Sequence, residues 1–159
     1  MTDQRDTFYP NRHWATEFLQ IRIVSPTRLV YARGEVFETL TMYDVIGDVH
    51  GSHDALKRLL IRMGYVKRVS GYTHSERQAI FVGDLLNRGN AVEKVIKLVR
   101  RMQDSGAAQV IMSNHEFNTL AYHIPNPNHK GVYLRPRSKK NQKQISATLN
   151  QLSKDEIES

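Results

Sequence analysis

No cysteine occurs in the 159 residues, which rules out disulfides and thiolate metal sites and leaves oxygen and imidazole as the ligands the chain can offer an ion. No apolar run approaches the roughly 20 residues that a membrane-spanning helix needs. The opening stretch MTDQRDTFYPNRHW has no apolar signal core either. The chain therefore reads as a soluble protein with no membrane partner, and its lack of cysteine suits the cytoplasm. Acid is scarce as well: 16 Asp and Glu against 23 Lys and Arg leave a formal charge of +7. That balance favours anionic partners, such as a nucleotide, a phosphoprotein or nucleic acid. No G-x-G-x-x-G follows any strand-like segment, which excludes a dinucleotide-binding domain. The length suits one domain with a sizeable core.

What is present divides into three textures. Residues 1–41 are arginine-rich with short alternating pieces, among them RLVYARGEVFETL, which suggests a hairpin turned at Arg33-Gly34. They read as an N-terminal extension that the core does not need, with Met42 directly before its first strand. Residues 42–129 alternate strand and helix: YDVIG, then a helix with Leu56, Leu59, Leu60 and Met63 on one face; QAIFVGD, then a helix capped by Asn90 with Val92, Val95, Ile96, Val99 and Met102 on one face; AQVIMSN, then HEFNTLAYH. The fold class expected is α/β, with mostly parallel strands alternating with helices. Residues 130–159 are a basic polar tail with a short helix; Arg135 to Lys143 carries five cations and no acid and is expected to be flexible.

Each of the three strands exits into a polar cluster: GDVHG at 47–51, GDLLNRG at 83–89 and SNHE at 113–116. In a parallel sheet these exits share the edge where such folds bind ligands. If the strand conformation persists, Asp48 and His50 point the same way and grip one ion together. Asp84 can bridge that ion to a second, to which Asn114 offers an amide oxygen. Carboxylate, imidazole and amide ligation suits Mn, Fe or Zn. His115 can donate a proton to a leaving oxygen, and Arg88 presents a planar fork to phosphate.

These blocks, in this order and spacing, resemble the GDxHG, GDxxDRG and GNHE motifs of the calcineurin-like metallophosphoesterases, particularly the phosphoprotein phosphatase branch and its bacterial dinucleoside-tetraphosphatase relatives. The resemblance covers residues 42–125. It implies a metal-dependent phosphoester hydrolase built as an α/β sandwich. Asp48, His50 and Asp84 would hold a first metal, Asp84 and Asn114 a second, Arg88 the substrate phosphate, and His115 the leaving-group proton. In that family two divalent ions activate the phosphoryl group and generate the attacking hydroxide.

The departures shape further expectations. Ser113 stands where the family has Gly, and Asn87 where it has the Asp that orients the catalytic histidine. The family completes its second metal site with two histidines from later strands. Here only His123 and His129 follow His115, and both lie too close behind it. The chain thus reads as the N-terminal half of such an enzyme, holding one ion firmly and weakly active or inactive alone. The alternatives are a phosphate- or nucleic-acid-binding module acting through the basic tail beside a relic metal edge, and a fragment that a partner chain completes.

Overall fold

The computed structural model of the chain describes residues 20–32 and 35–158. Its first element is a hairpin: β1 (Gln20–Ala32) runs antiparallel to β2 (Glu35–Ile46), with Ala32 opposite Glu35. The expected turn at Arg33-Gly34 falls on residues outside the described ones, as do residues 1–19 and Ser159. β2 is continuous from Glu35, so Met42 stands inside a strand and not before one.

The chain continues through α1 (His53–Arg62), β3 (Val66–Arg68), β4 (Gly71–Thr73), β5 (Arg77–Phe81), α2 (Val92–Asp104), β6 (Ala108–Val110), α3 (Asn114–His123), α4 (Lys139–Leu149) and α5 (Lys154–Glu158). The main sheet has the order β1-β2-β5-β6. β2, β5 and β6 are parallel, with Ile46 level with Phe81 and Phe81 level with Val110. That register sets the three polar exits side by side. Helices connect the parallel strands because parallel neighbours need a crossover, and the apolar faces of α1 and α2 close it. Leu56, Leu59 and Leu60 of α1 and Val95, Leu98, Val99 and Met102 of α2 pack with Ile46 and Phe81 into one core.

Three expectations require correction. The hairpin of β3 and β4 was not foreseen, because three-residue strands carry no readable alternation; Gly71 permits it, since a Cβ there would sit 3.2 Å from the Met102 side chain. Asn90 does not cap α2. The N-cap is Ala91, which makes no side-chain cap bond, and the Val92 N–H instead donates to Gln151 Oε1 at 2.7 Å. Gln151 belongs to the supposed tail, which is itself the third correction: α4 is docked on the core. Ile145 is 1% exposed and Thr148 is fully buried, while Ser138 caps the helix by accepting from the Asn141 N–H at 3.2 Å. The anchors are one apolar and one hydroxyl side chain amid lysines, too sparse a pattern to read as periodicity. Among the described residues no helix is long and apolar enough to cross a membrane.

A packed α4 has a measurable consequence. Ile145→Ala should destabilise the protein by about 2–4 kcal/mol, the range for truncating a fully buried aliphatic side chain. Urea unfolding checks this; a change below about 0.5 kcal/mol, as for a solvated surface position, would restore the flexible tail.

Candidate metal and phosphate site

The site is built by sewing two strand exits together. The His50 N–H donates to the Asp84 carbonyl at 2.7 Å, Gly51 N–H to Leu85 at 2.8 Å, and Gly89 N–H back to His50 at 2.7 Å. Such backbone proximity tolerates little side-chain volume. A Cβ on Gly89 would lie 2.6 Å from the His50 oxygen, and one on Gly51, at φ +71°, would lie 2.9 Å from Val92. Among the described residues, four non-glycine residues adopt positive φ: Asp48 (56°), His50 (45°), Asp84 (55°) and Asn87 (80°). All four were singled out from the sequence as site residues. Left-handed backbone at aspartate, asparagine and histidine is uncommon and gathers at functional turns.

This geometry corrects how Asp48 and His50 meet their neighbours. Strand alternation does not persist beyond Ile46; two left-handed turns aim the side chains instead. His50 donates Nδ1–H to the Leu86 carbonyl at 2.8 Å, which leaves the Nε2 lone pair facing Asp84 Oδ2 at 4.0 Å. Ligand atoms of His50, Asp84 and His115 all lie within 4.8 Å of one another. Burial works to raise the pKa of Asp84, but hydrogen bonds with Ser113 and Asp48 and the nearby His115 and His50 hold it below the ordinary carboxylate value. An imidazole lone pair and a carboxylate aimed at one point repel each other unless a cation lies between them, so this donor set fits a divalent metal. Asp48 lies beside Asp84 but is exposed and is not among the residues whose ligand atoms converge. His123 closes α3 with its ring 5.6 Å from that of Tyr122, and His129 is exposed in the following loop; neither joins the cluster.

Ser113 is extended, at φ −99°, so the position does not demand glycine. It starts α3 with a capping box: its hydroxyl accepts from the His115 N–H, and Glu116 reaches back to the Ser113 N–H at 3.1 Å. Glu116 does more, accepting from the Asp84 N–H at 3.0 Å and the Leu85 N–H at 2.8 Å. It thereby ties the third exit to the second. The S-x-x-E spacing at 113–116 carried that signal, although the sequence reading did not use it.

Asn87 is buried beside His115. Its amide Nδ2 faces His115 Nδ1 at 3.3 Å and donates to Thr119 Oγ1 at 3.1 Å. Its Oδ1 accepts from the Thr148 hydroxyl at 2.6 Å, while Thr148 Oγ1 accepts the Asn87 N–H at 3.1 Å. α4 claims the amide oxygen and leaves the NH2 toward the ring. Thr148 had no motif to reveal it, since 61 residues separate it from Asn87. Arg88 and Asn114 are exposed and, with His115, line a cleft of about 580 Å³ beside the cluster.

Gly89→Ala tests the seam between the loops. Because its Cβ would meet backbone, the substitution should destabilise the protein by roughly 1–3 kcal/mol, as overpacking does. Thermal unfolding should show a Tm lowered by several degrees; an unchanged Tm would mean that the seam is not rigid.

The calcineurin-like phosphoesterase family model matches residues 43–155. Among curated proteins, the asymmetrical bis(5'-nucleosyl)-tetraphosphatase PrpE of Oceanobacillus iheyensis is 45% identical over 73 residues, 45% of this chain and 29% of the relative. PrpE of Bacillus subtilis is 31% identical over 118 residues, 74% and 45% of the two chains. The symmetrical bis(5'-nucleosyl)-tetraphosphatase of Psychromonas ingrahamii is 29% identical over 113 residues, 71% and 34%. The matched regions thus span between 29% and 45% of the length of these relatives. With parallel strand exits sewn into one polar edge and the family pattern covering most of the sequence, the chain belongs to the calcineurin-like phosphoesterases.

Proposed function

We propose that the protein is a metal-dependent phosphohydrolase whose substrate is a nucleoside polyphosphate. The observation that carries this is the convergence of His50, Asp84 and His115 within 4.8 Å at the mouth of a cleft that also presents Arg88. The relatives' names supply the substrate class, and the chain's positive charge agrees with it.

Asp48, His50 and Asp84 would hold an ion of the Mn, Fe or Zn kind, which would supply Lewis-acid activation of the phosphoryl group and of the attacking water. Asp84 and Asn114 are the two ligands left for a second ion, so one ion per chain is held firmly. Arg88 holds phosphate oxygens through its guanidinium fork. His115 delivers the proton to the leaving oxygen, and Asn87 positions it. The Asn87 side chain, whose Nδ2 lies 3.3 Å from His115 Nδ1, orients the ring.

Metal analysis after dialysis against Mn²⁺ should return about one ion per chain, and Asp84→Asn should remove it. With Mn²⁺ and a dinucleoside tetraphosphate, that variant should lose about 10²-fold or more in rate, as expected for a lost ligand of the reacting centre. Full metal occupancy and turnover in Asp84→Asn would overturn the reading. The role of Asn87 gives a pH test. A carboxylate at this position would stabilise the positive charge that an imidazole must carry to act as a proton donor. Asn87→Asp should therefore raise turnover by about tenfold and shift the alkaline limb upward. If His115→Ala abolishes activity while Asn87→Asp leaves the pH profile unmoved, Asn87 does not position the acid.

A further inference from the structure

Beyond Arg88, the cleft beside the metal cluster is walled by residues that the family motifs do not include: Arg135 from the loop after α3, and Lys140 and Lys143 from α4. The lining holds four cations and no carboxylate. None of these four takes part in an ion pair among the described residues. Lys140 and Lys143 stand three apart on α4 and so share one helix face. They also sit in its first turns, where no acid is present and where the helix dipole is already positive. Unlike-signed partners are favoured there, so this clustering is destabilising until an anion arrives.

The wall is also fixed in place. The Arg135 guanidinium donates to Asn141 Oδ1 at 3.3 Å and Gln144 Oε1 at 2.5 Å, both neutral, so the group is oriented and its charge is left uncompensated. Its backbone N–H donates to the Ala121 carbonyl at 2.9 Å. Ile145, which lines the same cleft at 1% exposure, pins α4 to the core. The cleft's volume of about 580 Å³ falls within the ~300–1,000 Å³ of small-ligand sites and exceeds what one phosphoryl group fills.

We infer that Arg135, Lys140 and Lys143 form a second anion subsite that binds the phosphates beyond the one held by Arg88 and the metal cluster, and so select polyphosphate chains over monoesters. This rests on the proposed phosphohydrolase reading for its biological meaning, but the subsite is a property of the folded chain and is tested without turnover. Lysine suits the task, because a point charge on a flexible stem accepts phosphates in several registers while the arginine fork fixes one.

The experiment is isothermal titration of the full chain in metal-free buffer with inorganic tripolyphosphate and with orthophosphate. Wild type should bind tripolyphosphate at least tenfold more tightly than orthophosphate. Lys140→Ala/Lys143→Ala should cut tripolyphosphate affinity by about tenfold, as for the loss of two solvent-exposed charge pairs, and remove most of the preference. Lys140→Glu/Lys143→Glu should abolish tripolyphosphate binding. Arg68→Ala/Arg101→Ala, which removes equal charge from a separate basic hollow, should leave the preference intact. Circular dichroism confirms that each variant is folded. Equal wild-type affinity for the two anions, a preference that survives Lys140→Ala/Lys143→Ala, or its loss in Arg68→Ala/Arg101→Ala would each overturn the inference. A chain that prefers tripolyphosphate yet hydrolyses no nucleotide would instead sink the phosphohydrolase reading and leave the subsite standing.

Discussion

Three backbone hydrogen bonds between the turn at 48–51 and the turn at 84–89 decide where every reactive side chain can lie. They require that the two strand exits touch main chain to main chain, which is why glycine occupies Gly51 and Gly89 and why Asp48, His50, Asp84 and Asn87 accept left-handed backbone. Residues in such conformations cost energy that the surrounding structure must over-determine. It does so through the parallel register of Ile46, Phe81 and Val110 below and the Glu116 carboxylate above, which gathers N–H groups from Asp84, Leu85 and Ser113. The histidine and carboxylate groups are thus presented to a common point. Preorganisation of this kind lets a polar site bind and stabilise charge without rearranging.

α4 gives the basic end of the chain a structural role. Thr148 exchanges two hydrogen bonds with Asn87, and Gln151 completes the start of α2 while its NH2 donates to the Gly89 carbonyl at 3.0 Å. The helix that carries the cleft lysines therefore also steers the amide beside His115. In the proposed reading, the groups that would bind substrate charge and those that would orient the proton donor meet on one element.

A buried ion pair marks the other end of the sheet. Asp44, fully buried on β2, faces Arg77 Nε of β5 at 3.3 Å, and Arg77 also donates to the Met63 carbonyl and contacts His74. Removing one partner of such a pair strands a charge in the interior, which typically costs about 3–5 kcal/mol. The pair fixes the register of the two parallel strands at the end opposite the site.

By itself the sequence determined the alternation of strand and helix, the apolar faces of α1 and α2, the β1–β2 hairpin and the three polar exits, because each is written in residues a few positions apart. The family blocks were legible for the same reason: GDVHG, GDLLNRG and SNHE are local strings whose order survives without a structure. Tertiary structure alone decided the rest. Gln151 in place of Asn90 at the start of α2, Thr148 on the Asn87 amide, the burial of Ile145 and the turning of the Asn87 NH2 toward His115 all join residues 28 to 61 positions apart. No local periodicity encodes such pairs. They form when a sparse helix finds the one groove that satisfies both its single buried isoleucine and its hydroxyl, and that choice belongs to the packed chain.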